Sequence, residues 1–482
     1  MKLNLPLKHS LISLALIGLI GCTTTSQADY VSLAEQSTSK TQQSLLSELI
    51  QQTSEEQALN QHASNEQELD TENLQLTDLV NAPELDLYIE RALQNSPSLQ
   101  QSITALKIAY AQQGVTSGDR LPTVDASFSG QADEGTNGSS TTETYTTDVT
   151  VGWELDLWQK LADTNNAALK DIATSQANLQ GAQDLLVASV MRGWLDISLK
   201  QQLVDIETQR LVILENNEEL VLERYRTGLG SLEELDNAKT SSASTQATLA
   251  DYQEQLAQSR RALVLLTGQW SGESEELSLA DLGSFPTIIN PLDNMPTQDL
   301  AGRPDLQAAF FNIEAETLRA DAAYKAMLPS ISLSASLTDM AESPSEALLT
   351  GPLWSALGQV SAPLFQGGKL KAQAEIADLT TESSYWAYQE TLLTAVNEVE
   401  NAMGQESSLT LQQQHLTNAL VSAQRSFTSY EEKYRQGLVD IFDLLTVQQQ
   451  TYDLEAQLTQ TIYNRLVNRI DLGLALGLGV SS

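Results

Sequence analysis

The second half of this chain repeats the first, and no other feature limits its possible folds so strongly. Pro97-Ser98-Leu99 returns as Pro304-Asp305-Leu306, 207 residues on. Leu121-Pro122 returns as Leu328-Pro329, and Leu157-Trp158 as Leu364-Phe365, at the same offset. Later landmarks stand 209 apart: Gly228 with Gly437, and Gly268 with Gly477. About two residues were therefore inserted over the whole match. Order kept over such distances marks a duplicated unit. Two units of about 200 residues each exclude a short-period solenoid.

Each unit carries one conspicuous turn. The first reads Tyr225-Arg226-Thr227-Gly228-Leu229 and the second Tyr434-Arg435-Gln436-Gly437-Leu438. An acidic-apolar run follows each: Ser231-Leu232-Glu233-Glu234-Leu235, then Asp440-Ile441-Phe442-Asp443-Leu444. Both turns predict a tight helix-to-helix connection with Gly at the helix C-cap.

The segments around these turns are built to run long. No proline stands between Pro122 and Pro286, and none follows Pro363. Nothing there breaks a helix. From about Gln159 to Arg226 a helix of roughly 68 residues would span about 100 Å. One globular core cannot bury that length, so coiled-coil packing is expected. Leu416, Leu420, Ala423, Phe427, Tyr430 and Tyr434 step by alternating fours and threes, a heptad seam. Leu211, Leu214, Val221 and Tyr225 hold matching places, with Glu218 interrupting. Leu454, Leu458 and Ile462 continue the apolar spacing on the return helix. Upstream, Leu85 to about Gly118 reads as helix with a bend near Pro97.

Between the helices the period changes to two. Val124, Ala126 and Phe128 alternate with Asp125, Ser127 and Ser129. After a Gly/Ser/Thr/Asn loop, an alternating run extends from Tyr145 through Val151 and Trp153 to Leu157. In the second unit, Ile331, Leu333, Ala335 and Leu337 alternate with serines. Trp354, Ala356, Val360, Ala362 and Leu364 alternate with Ser355, Gln359 and Ser361. These are strands with one apolar and one polar face. A soluble sandwich would alternate likewise. Only four strands of membrane-spanning length are found, with Trp153, Trp158 and Trp354 near strand ends, which favours the lipid setting. Lipid tolerates no open sheet edge, and four strands cannot close a pore, so several chains must contribute. Physics alone permits 8, 12 or 16 strands.

The start of the chain reads as an export signal over residues 1–21, with Lys2 and Lys8 before the apolar run Leu11–Ile20. The run is short for a membrane-spanning helix. It ends in Leu19-Ile20-Gly21-Cys22, and Cys22 is the only cysteine. Residues 22–81 are rich in Gln, Ser, Thr and Glu and are expected to form a weakly ordered arm. The remaining domains are then 82–270, a linker at 271–300, and 301–480. The chain has 26 basic and 63 acidic residues, a net charge of −37. That disfavours nucleic acid as a partner and suits a soluble surface or a path that resists anions. His9, His62 and His415 have no neighbour at ligand spacing, so a histidine metal site is not expected. No Gly-rich phosphate loop or G-x-S-x-G motif occurs, and the sequence argues for no enzyme.

Taken in order, the Cys22 lipobox, the two repeats, one strand hairpin per repeat and the Tyr-Arg-x-Gly turns resemble the TolC-type outer membrane efflux protein family, lipoprotein branch. The resemblance covers about residues 82 to 480. It implies a mainly α fold with a β-barrel portion: a homotrimer whose four strands per chain complete a 12-stranded outer-membrane barrel above a helical coiled-coil tunnel. It also implies an outer-membrane factor of a tripartite RND efflux system. Such a channel passes small molecules from periplasm to exterior and is opened by a periplasmic adaptor and an inner-membrane RND-type pump. Cys22 would carry the covalent lipid, with no other cofactor. Asp440 and Asp443, expected on one helical face, could ring the entrance as a cation-favouring aperture, or be N-terminal residues favoured by the helix dipole. Arg435 could pair with an acidic residue of a neighbouring helix and hold the entrance shut. Gly228, Leu229, Gly437 and Leu438 are candidate adaptor contacts or plain helix caps. The competing readings are a duct for type I protein secretion and a non-conducting periplasmic coiled-coil spacer.

Overall fold

The computed structural model describes residues 28–59, 75–80, 82–135, 139–269, 285–286 and 302–480. The signal segment 1–21, Cys22 and most of the linker 271–300 lie outside the described residues.

The duplication is visible in helix lengths. The first unit runs α2 (Pro83–Asn95), α3 (Pro97–Gly118), strands β1 (Thr123–Gly135) and β2 (Ser139–Leu155), α4 (Lys160–Arg226) and α5 (Leu232–Leu266). The second runs α6 (Pro304–Lys325), β3 (Ser330–Ala341), β4 (Leu353–Ser361), α7 (Lys369–Arg435) and α8 (Ile441–Ala475). Helices α3 and α6 both have 22 residues. Helices α4 and α7 both have 67, and α5 and α8 both have 35. The insertion falls at the strand-to-helix junction. There Gln159 alone turns the chain in the first unit at φ 63°, whereas Gly367 and Gly368 turn it in the second at φ 59° and 85°. Left-handed geometry suits glycine. In the first unit Asp156 secures the junction instead, its carboxylate accepting from the N–H groups of Leu161 (3.0 Å) and Ala162 (2.7 Å). This satisfies two of the orphan donors of α4.

Helix α4 packs against α3, α5, α6 and α8, and α7 against α6 and α8. Arg192 reaches Asp471 at 2.9 Å and Arg210 reaches Asp453 at 3.4 Å, so α4 and α8 run antiparallel across the two units. A core forms at each shoulder. One gathers Leu99, Met191, Leu195, Leu263 and Ile470, the other Leu306, Ile313, Leu392, Val399 and Leu472. A third, smaller cluster joins the ends of both long hairpins through Val221, Leu235, Ala238, Ile441 and Leu444.

The described part of the arm differs from expectation, and residues 60–74 lie outside the described residues. Residues Tyr30–Leu59 form one helix, α1, on the second unit. Ala34 is fully buried there, Tyr30 packs on Tyr385 with ring centroids 5.4 Å apart, and Gln389 donates to the Ser37 hydroxyl at 2.7 Å. The hydroxyls of Thr38 and Tyr388 also bond. The segment holds no Pro or Gly, so helix is available once tertiary contacts supply what composition does not. A 3-10 turn at Leu76–Leu79 docks where α4 of the first unit meets α8 of the second, with both leucines fully buried. Gly473 of α8 makes room: a Cβ there would lie 2.8 Å from Leu79 Cδ1.

The four strands form one antiparallel sheet in the order β1-β2-β3-β4. The first ladder runs through the expected loop, from Thr123 opposite Gly152 to Gly135 opposite Ser139. Pairing thus continues through a polar stretch beyond the apolar part of the strands. The second hairpin has shorter strands and a longer loop.

Candidate functional site

Two regions carry the functional geometry: the sheet and the helix tips. On the sheet, register joins the alternation of four strands into two faces. One row reads Leu155, Ile331, Val360, the next Trp153, Leu333, Gly358, then Val124, Val151, Ala335, Ala356, then Ala126, Val149, Leu337, Trp354. Val124, Phe128, Leu333, Leu337, Trp354 and Val360 on this face are all exposed. The opposite face carries Asp125, Thr150, Ser336 and Ser355 in one row, with Glu154, Ser332 and Gln359 in another. Among the described residues both outer edges, β1 and β4, have no further strand beside them. Trp153 and Trp354 stand two rows apart on the apolar face. Trp158 ties the base of the first hairpin to the second through its indole N–H and the Pro329 carbonyl, 2.6 Å apart.

Three apolar residues on the polar face escaped the sequence reading: Leu353 and Leu357 of β4 and Met340 of β3. Strict period-two counting from Trp354 puts both leucines on the Ser355 side, so the signal was present. Asp339 breaks the opposite face. It is buried and accepts from the Gly351 N–H at 3.2 Å, which draws the 342–352 loop back over the sheet.

At the tips both glycines take left-handed geometry, Gly228 at φ 74° and Gly437 at 73°. Each ends its helix with the same pair of bonds. Leu229 N–H reaches the Arg224 carbonyl (2.8 Å) and Gly228 N–H the Tyr225 carbonyl (3.0 Å). Leu438 and Gly437 do the same to Lys433 and Tyr434, both at 2.9 Å. These are Schellman caps. Leu229 and Leu438 stand about three-quarters and two-thirds exposed, at 74% and 69%.

The start of each return helix differs. Ser231 and Glu234 form a reciprocal capping box, both bonds 3.1 Å. Asp440 is the cap of α8, its carboxylate accepting from the Asp443 N–H at 2.9 Å. Asp440 therefore precedes the helix and does not share a helical face with Asp443 as anticipated. Both are exposed. Arg435 pairs with Glu431 of its own helix at 2.7 Å, not with a neighbouring helix of this chain. The residue that bridges the tips is Arg224, which donates to the Tyr434 hydroxyl at 3.4 Å and lies 6.0 Å from the ring centroid. No sequence spacing links those two.

Charge is also buried in the helical wall. Glu406 is 3% exposed, and its Oε1 accepts from Arg465 (2.9 Å) and Arg469 (2.9 and 3.0 Å). Glu207, equally enclosed, pairs with Arg210 at 3.4 Å. Burial pushes the Glu207 carboxyl above its ordinary value, with Arg210 opposing.

A duplicated chain with a half-open membrane-type sheet and two long helical hairpins defines a class, the outer-membrane channel subunit. The family model of the outer membrane efflux protein matches residues 88–269 and 295–478. The chain belongs to that family, and it is an outer-membrane efflux channel protein. Among relatives, the probable outer membrane lipoprotein SilC of Salmonella typhimurium is 26% identical over 399 residues, covering 82% of this chain and 86% of SilC. The cation efflux system protein CusC of Escherichia coli K12 is 25% identical over 397 residues, covering 81% and 86%. The fold matches a crystal structure of CusC with a TM-score of 0.73 at 24% identity, over 86% of this chain and 99% of that one. A membrane protein of Pseudomonas aeruginosa gives 0.78 at 24% identity, over 86% and 98%.

Proposed function

We propose that three copies of this chain close a 12-stranded barrel in the outer membrane and continue as a helical tunnel through the periplasm. The observation that carries this reading is the sheet. It has two free edges and one exposed apolar face, an arrangement that lipid accepts only when the edges are closed. Four strands per chain and three chains supply twelve. The apolar rows then meet lipid and the polar rows line a wet conduit.

The channel does no covalent chemistry and needs no cofactor. Cys22 carries the lipid that holds it to the membrane. The tips taper to an entrance, where Asp443 and the capping carboxylate of Asp440 supply repeated negative charge. A periplasmic adaptor docks against Gly228, Leu229, Gly437 and Leu438, whose exposed apolar and backbone surface suits a partner, and an inner-membrane RND-type pump completes the system. No Lys or Arg occurs in any of the four strands. Cations and small organic molecules therefore suit the conduit better than anions, and the relatives include a cation efflux protein.

The test is single-channel current from purified, lipidated protein in a planar bilayer, wild type beside Asp443→Ala, with native mass measured in parallel. Small cation-selective steps from a trimer, enlarged or less selective in the variant, support the reading. Identical steps keep the conduit and remove Asp443 from the entrance. A monomer that stays in water without conductance favours the spacer. Arg435 pairs within its own helix, so Arg435→Ala should leave the conductance unchanged, and a raised leak would assign it a lock with a neighbouring copy.

A further inference from the structure

The polar face of the sheet is polar with three exceptions. Every other described position on it is Ser, Thr, Asp, Glu, Gln or Gly. Leu353, Leu357 and Met340 are 79%, 58% and 66% exposed, so nothing among the described residues covers them. Leu353 and Leu357 lie four residues apart on β4, a track of about 13 Å. Exposed leucines in a wet conduit have no packing role to explain them.

Register adds a charge. Leu353 lies opposite Thr338, which lies opposite Asp148. Two strand spacings put the leucine about 10 Å from the carboxylate. Asp148 is held in place by the hydroxyls of Thr150 and Thr338, each at 2.5 Å. With no Lys or Arg in the strands, no fixed strand cation competes for it. An apolar track beside a fixed carboxylate is complementary to one chemical class, a cation with an apolar body of about that length.

Resting on the trimeric barrel proposed above, we propose that Leu353 and Leu357, with Met340 beside them, form an apolar track on the conduit wall, once per copy, that adsorbs amphiphilic organic cations whose charge faces Asp148. The wall thereby favours such solutes over equally charged ions without an apolar body. Contact is brief, because the track is open to water and buries only part of any solute.

The experiment uses the full-length protein in a planar bilayer with KCl on both sides. Tetraphenylphosphonium is added on the external side, where the barrel is entered without passing the tips. Tetramethylammonium, with the same charge and little apolar body, is the control. KCl steps in each variant report that it has assembled. In the wild type, tetraphenylphosphonium should interrupt the current and tetramethylammonium should not. In Leu353→Ser/Leu357→Ser the interruptions should shorten about tenfold, and Asp148→Asn should shorten them too. Interruptions of equal length in the leucine variant would overturn the track. So would interruptions by tetramethylammonium of the same length, which would indicate a site for bare cations. Absence of interruption in the wild type would mean that a neighbouring copy covers the leucines. A trimeric, inserted wild type without KCl steps would sink the conduit reading itself, and the track with it.

Discussion

The two halves of the molecule share helix lengths residue for residue, yet fill them with different chemistry. Glu406 of the second half stands where the first has Ile197, and Arg465 where the first has Leu256. The trade is reversed further along: Glu207 and Arg210 of the first half stand where the second has Leu416 and Ala419. All of Ile197, Leu256, Glu406 and Glu207 are buried. One backbone thus accepts either an apolar pair or a buried ion cluster at the same level. Such clusters add little net stability over an apolar filling, but breaking one is costly. The difference between halves therefore concerns fragility more than strength.

The sharpest way to break that comparison is Glu406→Ala, which takes the shared carboxylate from two arginines. It should cost about 3–5 kcal/mol of stability, read by denaturant unfolding with helical circular dichroism. Replacing part of the cluster with the residues of the first half, Glu406→Ile with Arg465→Leu, should cost about 1–2 kcal/mol, less than the alanine, because only Arg469 then loses the carboxylate. If the transplant is as damaging as the alanine, the two halves are not interchangeable frameworks.

Glycines at the same dihedral sharpen the contrast between shoulder and tip. Gly268 has φ 73°, and a Cβ there would lie 2.3 Å from the Asn95 carbonyl oxygen. Gly228 has φ 74° with nothing within 4 Å. Gly268→Ala should cost about 3 kcal/mol, left-handed strain plus a backbone clash, while Gly228→Ala should cost only the strain, about 1–2 kcal/mol. Equal losses in thermal unfolding would show that the shoulder yields.

The caps come next. Ser231→Ala removes a reciprocal box and Asp440→Ala a single bond, and each should cost about 1 kcal/mol. Faster amide exchange at Glu234 than at Asp443 after the respective changes would confirm that the first tip depends more on its box.

The smallest effect is a pH slope. Because burial raises the Glu207 carboxyl in the folded chain, the folded state binds more protons than the unfolded one just above the ordinary carboxylate value of 4.5. Stability should therefore fall as pH rises through that window. Glu207→Gln should flatten that part of the stability profile, and an unchanged slope would assign it to another group.

How much of this was legible in the sequence depends on the kind of residue that carries it. Prolines and glycines punctuate the chain, so the repeat, the tips and the hairpins could be read directly. Period-two alternation gave the two faces of the sheet. The helix at Tyr30–Leu59 was missed because its docking residues, Ala34 and Thr38, are small and sit in a Gln/Ser-rich background that resembles solvent-loving chain. Glu207 and Glu406 look like surface residues until their partners, 3 to 63 positions away, are folded against them. The Arg224–Tyr434 contact spans 210 positions and leaves no local trace.

The matched lengths of α4 with α7 and of α5 with α8 make the reach of the tunnel a joint property of four helices. A heptad deleted from one of them would leave its end about 10 Å short of its neighbours, separating the two tips that Val221, Leu235, Ile441 and Leu444 hold together. Descendants of this gene can therefore lengthen or shorten to suit a wider or narrower periplasm only through edits made in parallel in both halves. The ancient doubling that built the tunnel also sets the step size by which it can be resized.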